Sequence, residues 1–195
     1  MNYQTVLITG ATKGLGRALV IDLCEKGYRV FATGRDETQL QALMLQTGCL
    51  GKCYDLSQAD AVMALFDNAK QALGQIDVLI NNAGMNTRKC DLAETNLDEF
   101  ELQYAINLRA PYLLCREAMR HMLPKEQGYI INIVSTVAKR SNPSMSIYTA
   151  MKQGFAGLNN VLMKEAQPQG IKVTAVYPGG INTSPMIFLE IRTFG

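Results

Sequence analysis

Histidine and cysteine, the residues that most often hold metals, are scarce in this sequence and poorly placed for that purpose. There is one histidine, His121, and the five cysteines are scattered along the 195 residues. Cys49 and Cys53 are the closest pair of cysteines, and one histidine does not complete a metal set with them. We therefore predict no metal site, and we expect reduced, mostly buried thiols in a cytoplasmic protein.

Long apolar runs and a strong charge of either sign are also missing. No run of eighteen apolar residues could form a membrane span, and the sequence opens on a strand-like segment rather than a signal peptide. The net charge of +2 is too small to indicate nucleic acid or a membrane surface as a partner. The 48% of hydrophobic residues excludes a disordered chain, and the length suits one domain with a sizeable core.

Short apolar, β-branched runs alternate with segments of helical periodicity. The predicted strands cover residues 6–9, 29–33, 49–54, 76–80, 129–134 and 171–177, and the predicted helices cover 17–26, 58–73, 95–122 and 148–166. This order predicts an α/β fold with one doubly wound parallel sheet of six strands, a Rossmann fold in a single domain spanning residues 1–195. Ligands of such sheets bind beyond the carboxyl ends of the strands.

A glycine-rich turn joins the first predicted strand to the first helix, with the pattern Gly10-x-x-x-Gly14-x-Gly16. Glycines in this context let the backbone approach a pyrophosphate, and the helix N-terminus offers free N–H groups to its charge. No Gly-Lys-Ser/Thr closes the turn, so it is not an ATP-type P-loop. The alternative is a glycine-rich turn with no ligand.

The end of the second strand faces the adenosine ribose in a dinucleotide fold. Arg35 stands there, and Lys13 of the glycine turn could add a second cation, which favours the 2′-phosphate of NADP(H). Asp36 supports the alternative, because an acidic residue about twenty residues past the turn could hold the 2′-hydroxyl of NAD(H). Arg35 could also be a solvated charge at a helix start.

Polar residues also follow the third and fourth predicted strands. Asp55 could accept a hydrogen bond from an adenine amino group, or it could simply begin a helix. Asn81-Asn82-Ala83-Gly84 places two amides directly after a buried strand, where their hydrogen bonds must be satisfied. We expect these residues to brace the sheet edge and line a cofactor cleft.

Tyr148 and Lys152 are four residues apart, and Ser135 lies thirteen residues before Tyr148. On a helix the two side chains leave the same face. An ammonium nearby is expected to lower the pKa of the phenol from about 10 toward the working range, and Ser135 could hold a substrate oxygen against Tyr148. The alternative is a tyrosine and a lysine whose stems lie along a helix surface.

The helix that begins at the Thr95-Asn96 cap contains residues that disfavour regular helix. Asn107 is a poor helix former, and Pro111 follows it four residues later. We expect a kink there, or a bound water that connects Asn107 with Lys152; the alternative is a solvent-facing position. His121 lies near the end of this helix, where a positive side chain suits the helix dipole, and we assign it no chemistry.

Six motifs, taken in order, resemble those of the short-chain dehydrogenase/reductase family over residues 3–184. They are Thr9-Gly10-x-x-x-Gly14-x-Gly16, Asn81-Asn82-Ala83-Gly84, Asn107, Ser135, Tyr148-x-x-x-Lys152 and Pro178-Gly179 with Thr183. The resemblance implies that Tyr148 is the general acid/base and that Ser135 orients the substrate oxygen. It further implies that Lys152 lowers the tyrosine pKa and holds the nicotinamide ribose, and that Asn107 supports a proton-relay water.

The same resemblance implies the cofactor contacts and the assembly. Lys13 and Arg35 match the NADP-preferring pattern of the family, and Ile181 and Thr183 would contact the nicotinamide amide. The whole implied cofactor set is Gly10, Thr12, Lys13, Gly14, Leu15, Gly16, Arg35, Asp55, Leu56, Asn82, Ala83, Gly84, Tyr148, Lys152, Pro178, Gly179, Ile181 and Thr183. A homo-oligomer, dimer or tetramer, would use the helices of Asn107 and Tyr148 as its contact surface.

Two features depart from the family pattern. Ala138 stands three residues after the serine, where the family usually has glycine. The sequence also ends at Gly195, before the substrate-covering loop and the last strand that members normally have. We therefore expect the sixth strand to be an uncovered edge and the cleft to be less shielded from water.

These features together predict an NADP-dependent oxidoreductase that passes a hydride between the nicotinamide and a ketone or aldehyde, with Tyr148 supplying the proton. The small-molecule substrate is not identified, although Met85, Met145 and Met186 are candidate pocket residues. The alternative is a nucleotide-binding regulatory or interaction protein on a shortened scaffold with little activity.

Overall fold

Six parallel strands form the centre of the fold in the computed structural model, which describes residues 3–180. They are β1 (Thr5–Thr9), β2 (Arg29–Thr33), β3 (Leu50–Gly51), β4 (Val78–Asn81), β5 (Gly128–Ile133) and β6 (Ile171–Val176). They pair in the order β3-β2-β1-β4-β5-β6, and every pairing is parallel. The strand order reverses between β1 and β4, so a crevice opens at the carboxyl ends of these two strands.

Helices follow the strands and cover both faces of the sheet. They are α1 (Gly14–Glu25), α2 (Glu37–Thr47), α3 (Ala59–Leu73), α4 (Leu97–Tyr104), α5 (Ala110–Met122) and α6 (Ser146–Ala166). The predicted fold class, a doubly wound parallel sheet of six strands, is confirmed. Helix α1 begins three residues before the predicted start because Gly14 and Gly16 belong to its first turn.

Two apolar cores, one on each face, hold the sheet between the helices. All five residues of β1 are buried, as expected for a central strand covered on both sides. Leu7 belongs to the core shared with α3, α5 and α6, whereas its neighbours Val6 and Ile8 belong to the core shared with α1 and α2. Successive strand residues point to opposite faces, so one apolar run supplies both cores.

The third strand is much shorter than predicted. Residues 49–54 were expected to form a strand, but only Leu50 and Gly51 pair with β2. Beyond them the chain turns away from the sheet edge, and Tyr54 packs into the core beside α3, where its hydroxyl accepts a hydrogen bond from Asn68. Burial of this ring therefore competes with further strand pairing.

Strand β6 is the outermost strand on the other side among residues 3–180. It pairs with β5 alone, and its side chains alternate between buried Ile171 and Val173 and exposed Lys172 and Thr174. Within the same residues, no helix is both long enough and apolar enough to cross a membrane.

Candidate active site

A cleft of about 700 Å³ lies at the carboxyl ends of the strands, around the point where the strand order reverses. Ten of the predicted cofactor residues line it: Gly10, Thr12, Lys13, Leu15, Gly16, Arg35, Leu56, Asn82, Ala83 and Gly84. The prediction missed five further lining residues, Thr33, Gly34, Gln39, Tyr54 and Ile106. Thr33 could have been found from the sequence, because it is the last residue of the predicted second strand. In the structure its buried hydroxyl has no protein partner.

Gly10 and Gly16 of the glycine turn are packed so closely that neither position has room for a side chain. Gly10 has a φ of +66°, and a Cβ on Gly16 would lie 2.2 Å from the Gly10 carbonyl oxygen and 2.4 Å from Nδ2 of Asn82. That amide donates to the carbonyl oxygens of Thr9 and Gly10, at 2.9 and 3.0 Å. Asn82 thus joins the end of β4 to the turn, which is the bracing role that we expected for it.

The N-terminus of α1, which this turn leads into, is free of protein groups that would satisfy it. The residue before the helix, Lys13, makes no side-chain capping bond, and the first turn contains no acidic residue. A helix start with free N–H groups attracts an anion. The bare glycine backbone and the uncapped helix start together fit a pyrophosphate, so the residues present suit a dinucleotide.

The side chains after β2 differ in whether they are already engaged in hydrogen bonds within the protein. Asp36 caps α2: its carboxylate accepts from the backbone N–H and the side-chain amide of Gln39, at 3.0 and 2.9 Å. Arg35 and Lys13 are exposed and line the cleft. Gly34 lies between Arg35 and β2, and a Cβ there would lie 2.3 Å from the Thr12 methyl group.

Asp55 occupies a different position from the predicted cleft residues. Its carboxylate is exposed and accepts from the backbone N–H of Ser57 at 2.9 Å. Hydrogen bonds from the backbone and the side chain of Ser57 lower the pKa of Asp55, and the nearby Arg35 guanidinium lowers it further. This contact matches the alternative reading, a carboxylate that prepares a helix start, and Asp55 does not appear in the lining of the cleft.

A buried amide network joins β4 and β5 beneath the cleft. The Asn81 amide donates to Oδ1 of Asn132 at 2.9 Å and contacts the Cys115 sulfur at 3.2 Å, while Asn132 donates to Oδ1 of Asn159 on α6 at 3.0 Å. Burial raises the pKa of the Cys115 thiol to about 12, so it stays protonated. The network fixes α6 against β5, and α6 carries Tyr148 and Lys152.

Asn107 lies in a π-helical turn, Ala105–Arg109, between α4 and α5. Its side chain is fully buried and bonds twice to Met85, accepting from the backbone N–H at 3.0 Å and donating to the carbonyl oxygen at 2.8 Å. The predicted irregularity is confirmed, and the solvent-facing alternative is wrong. A Cβ on Gly84 would lie 3.2 Å from both Asn107 Oδ1 and Lys152 Nζ, so both atoms face one small space at Gly84.

Tyr148 and Lys152 leave α6 one turn apart, as the spacing predicts. Lys152 is only 3% exposed; its ammonium donates to the Ile133 carbonyl oxygen at 3.1 Å and lies 5.8 Å from the centre of the Tyr148 ring. Ser135 follows β5, and its hydroxyl accepts from the Val137 N–H at 3.2 Å. The structure therefore brings the three predicted catalytic side chains of this region to one place.

The pKa values of the pair differ from the expected direction. Burial raises the pKa of the Tyr148 phenol, and the neighbouring Ser135 hydroxyl offsets part of that shift. Burial also lowers the pKa of Lys152 to about 8. The expected lowering of the phenol pKa is therefore not seen: burial is the largest cause of its shift, and the Lys152 ammonium donates to Ile133 instead of to the phenol.

The remaining predicted residues lie around or beyond this group. The Pro178 carbonyl oxygen accepts from the Thr136 N–H at 3.0 Å, which ties the segment after β6 to the residue after Ser135. Gly179 is exposed, Gly14 begins α1 with a φ of +56°, and Met85 lines the cleft. Ile181, Thr183 and Met186 lie outside the described residues.

The motif set and the cleft also have counterparts in known proteins. The family model described as short chain dehydrogenase matches residues 4–189. The chain belongs to the short-chain dehydrogenases.

Named relatives of this short-chain dehydrogenase include two with different substrates in their names. The 3-oxoacyl-[acyl-carrier-protein] reductase FabG of Haemophilus influenzae is 35% identical over 185 residues, which cover 94% of this chain and 76% of the reductase. The 3beta-hydroxysteroid dehydrogenase of Mediterraneibacter gnavus is 35% identical over 186 residues, which cover 92% of this chain and 67% of that enzyme.

Solved structures of short-chain dehydrogenases share the fold. A metagenomic short-chain oxidoreductase crystallised with NADP has a TM-score of 0.86 and 34% identity, with 91% of this chain and 82% of that chain covered. A short-chain dehydrogenase from Streptomyces avermitilis has a TM-score of 0.88 and 28% identity, with coverage of 93% and 67%. This short-chain dehydrogenase is therefore an oxidoreductase by family, with a fold that binds nicotinamide dinucleotides in a relative.

Proposed function

We propose that this short-chain dehydrogenase is an NADP-dependent oxidoreductase that interconverts a ketone or aldehyde and the corresponding alcohol. The observation that carries the proposal is the position of the Ser135, Tyr148 and Lys152 group, because Lys152 Nζ faces Gly84 at the edge of the dinucleotide cleft. The names of two relatives, a 3-oxoacyl reductase and a 3beta-hydroxysteroid dehydrogenase, each imply a carbonyl and alcohol pair. We expect a substrate with the same pair of groups.

The residues around the reacting oxygen have separable tasks in this proposal. Bound nicotinamide supplies or accepts the hydride. Ser135 hydrogen-bonds the substrate oxygen, and Tyr148 gives that oxygen a proton during reduction. Because burial raises its pKa, the phenol is protonated at neutral pH, which is the form that reduction requires. Lys152 stabilises the phenolate that remains, and Asn107 supports a water that returns the proton.

The cofactor preference is proposed to be NADP(H) over NAD(H). Support comes from Arg35 and Lys13, two exposed cations that line the cleft beyond β2. Asp36, the acidic residue that would favour NAD(H), is already engaged as the cap of α2. The 2′-phosphate would bring two negative charges to these cations, and such charge-assisted contacts are the strong ones.

Fluorescence titration with NADPH and NADH tests the proposal. We expect NADPH to bind in the micromolar range, about −8 kcal/mol, with NADH much weaker. Arg35→Ala should weaken NADPH binding about 10- to 100-fold and change NADH binding little, because it removes a charge-assisted contact to the phosphate. Asp36→Asn is the matched control, since asparagine keeps the helix cap while removing the charge.

Each result of that titration has a definite meaning. Tighter binding of NADH, lost in Asp36→Asn, would reverse the proposed preference. No binding of either cofactor would overturn the enzymatic proposal itself, because the cleft would then not serve a nicotinamide dinucleotide.

Exposed apolar side chains and unpaired cysteines bear on the assembly and the location of the protein. We propose a homo-oligomer, dimer or tetramer, because α4, α5 and α6 each carry exposed large apolar side chains, among them Leu97, Tyr112 and Val161 at 70%, 47% and 55%. Light scattering should give a mass above that of one chain, and a monomer at all concentrations would refute this. A cytoplasmic location is proposed because all five cysteines are unpaired, and cell fractionation would test it.

A further inference from the structure

Ser144 has a backbone conformation that serine rarely adopts. Its φ is +61°, and among residues 3–180 the only other non-glycine residue with positive φ is Glu126. Glu126 ends a helical turn after α5, where left-handed conformations are common, whereas Ser144 lies in the loop between β5 and α6. A left-handed serine is unfavourable and persists only where surrounding contacts hold it.

Two hydrogen bonds hold Ser144, and both reach the loop between β4 and α4. Its carbonyl oxygen accepts from the Cys90 N–H at 3.1 Å, and its hydroxyl donates to Oδ1 of Asp91 at 2.8 Å. Ser144 is separated from Asp91 by 53 positions in the sequence. We name these three residues the Ser144 bridge, because they join two loops that the sheet does not connect.

The β4–α4 loop is held along its length between the cleft and the bridge. At its start, Met85 lines the cleft and is bonded by Asn107 through both backbone groups. Next, the Thr87 hydroxyl accepts from the buried Gln103 amide at 3.0 Å. Arg88 then pairs with Glu99 at 2.7 Å. Cys90 and Asp91 of the Ser144 bridge come next in the loop and complete this series of contacts.

The position of the bridge relates it to the substrate. Ser144 lies four residues before Tyr148 and two before the first residue of α6. The bridge therefore ties the segment that leads into the helix of Tyr148 to the loop that leaves the cleft at Met85. It fixes the separation between these two segments.

We propose that Ser144 and Asp91 are positioning residues that set which substrates fit beside Tyr148, discriminating by the bulk of the substituents on the carbonyl carbon. This inference rests on the proposed carbonyl chemistry. The strained backbone of Ser144 is retained because it lets one residue offer both its carbonyl oxygen and its hydroxyl to the opposite loop. Loss of either side chain removes the hydroxyl–carboxylate contact and leaves only the backbone bond between Cys90 and Ser144 to join the two loops.

Steady-state kinetics with a small and a bulky ketone test the bridge. We expect Ser144→Ala and Asp91→Ala each to change KM for trans-decalone by about tenfold, with kcat and the KM for NADPH within about twofold. The KM for butan-2-one should change much less. The double variant should be no different from either single variant, because both remove the same contact. Ser141→Ala, at an exposed serine of the same loop, is the control and should behave as wild type.

Two readouts independent of turnover separate this inference from the proposed function. Hydrogen exchange at the Cys90 amide should become about tenfold faster in Asp91→Ala. Ser144→Gly should melt about 3 °C above Ser144→Ala, because glycine accepts the positive φ while both variants lack the hydroxyl. If no ketone is turned over, the proposed function fails, and these two measurements still decide whether Ser144 and Asp91 form one contact that holds the two loops together.

The outcomes that would overturn the bridge are equally specific. Equal changes in KM for the small and the bulky ketone would show that the residues do not select by bulk. Additive effects of the two substitutions, or unchanged exchange at Cys90, would show that Ser144 and Asp91 do not act as one contact.

Discussion

Replacing Tyr148 with phenylalanine should reduce turnover of carbonyl substrates by about 10²- to 10⁴-fold, the range that general acid–base catalysis contributes. Burial raises the pKa of the phenol, and the Ser135 hydroxyl lies beside it, so the phenol is a proton donor at neutral pH. NADPH affinity should stay within about threefold of wild type, because the substitution removes one oxygen at the cleft edge. Steady-state kinetics and a fluorescence titration measure the two quantities separately.

A second tyrosine provides the control for this substitution. The Tyr129 hydroxyl lies 3.0 Å from the Thr174 hydroxyl, outside the cleft, and Tyr129→Phe removes a comparable contact. We expect it to leave turnover unchanged. Wild-type turnover in Tyr148→Phe would show that the phenol is not the proton donor, although it lies beside Ser135.

Replacing Lys152 with methionine should abolish most turnover without destabilising the protein at pH 7. The buried ammonium has a pKa of about 8, against an ordinary value of 10.5, so keeping it charged at neutral pH costs on the order of 3 kcal/mol. Methionine removes that cost and leaves the Ile133 carbonyl oxygen without its donor, a loss of about 1–3 kcal/mol. The melting temperature should therefore equal or exceed that of wild type.

The pH dependence of this difference has a definite sign. Between pH 8 and 10.5 the unfolded lysine binds a proton that the folded one has lost, so wild-type stability rises with pH across this range. The advantage of Lys152→Met should be complete at pH 7 and should shrink toward pH 10. Lys164→Met, at an exposed position of the same helix, is the control and should show neither effect. A large loss of stability at pH 7 in Lys152→Met would contradict the assigned cost.

The cost of burying Lys152 also helps to choose between the two functions predicted from the sequence, an oxidoreductase and a nucleotide-binding regulatory or interaction protein. A protein that only binds a nucleotide or a partner has no use for a charged lysine that is 3% exposed beside a buried phenol. Groups that lower stability are retained where activity depends on them. This observation favours the oxidoreductase over the binding protein on a shortened scaffold.

The alternation of strands and helices, apart from α2 and the division of the predicted 95–122 helix into α4 and α5, and ten of the cleft residues could be predicted from the sequence because they follow from local patterns. Apolar runs of strand length, glycine at Gly10 and Gly16, and the cap at Asn96 each have a physical cause within a few neighbouring residues. The structure adds that Asn96 and Glu99 form a reciprocal capping box. The fold class then follows from the alternation alone.

Properties that depend on burial could not be predicted. The Tyr-Lys spacing indicates an electrostatic lowering of the phenol pKa, but the depth of the site raises it instead. His121 was expected to favour its positive form near a helix end, yet its Nε2 accepts from the Ile76 N–H at 3.1 Å and burial lowers its pKa. The β3 strand is short because Tyr54 finds a partner on α3, a contact between residues fourteen positions apart.

The parallel topology determines when during folding the cleft can exist. Its walls come from the turn after β1, the ends of β2 and β4, and the helix that contains Ile106, and the pairing of β1 with β4 joins Val6 to Val78. Closing loops of this length costs entropy before any contact repays it, so such sheets form slowly and late. A dinucleotide that binds this cleft would therefore stabilise the folded protein by mass action, because its site requires both halves of the sheet.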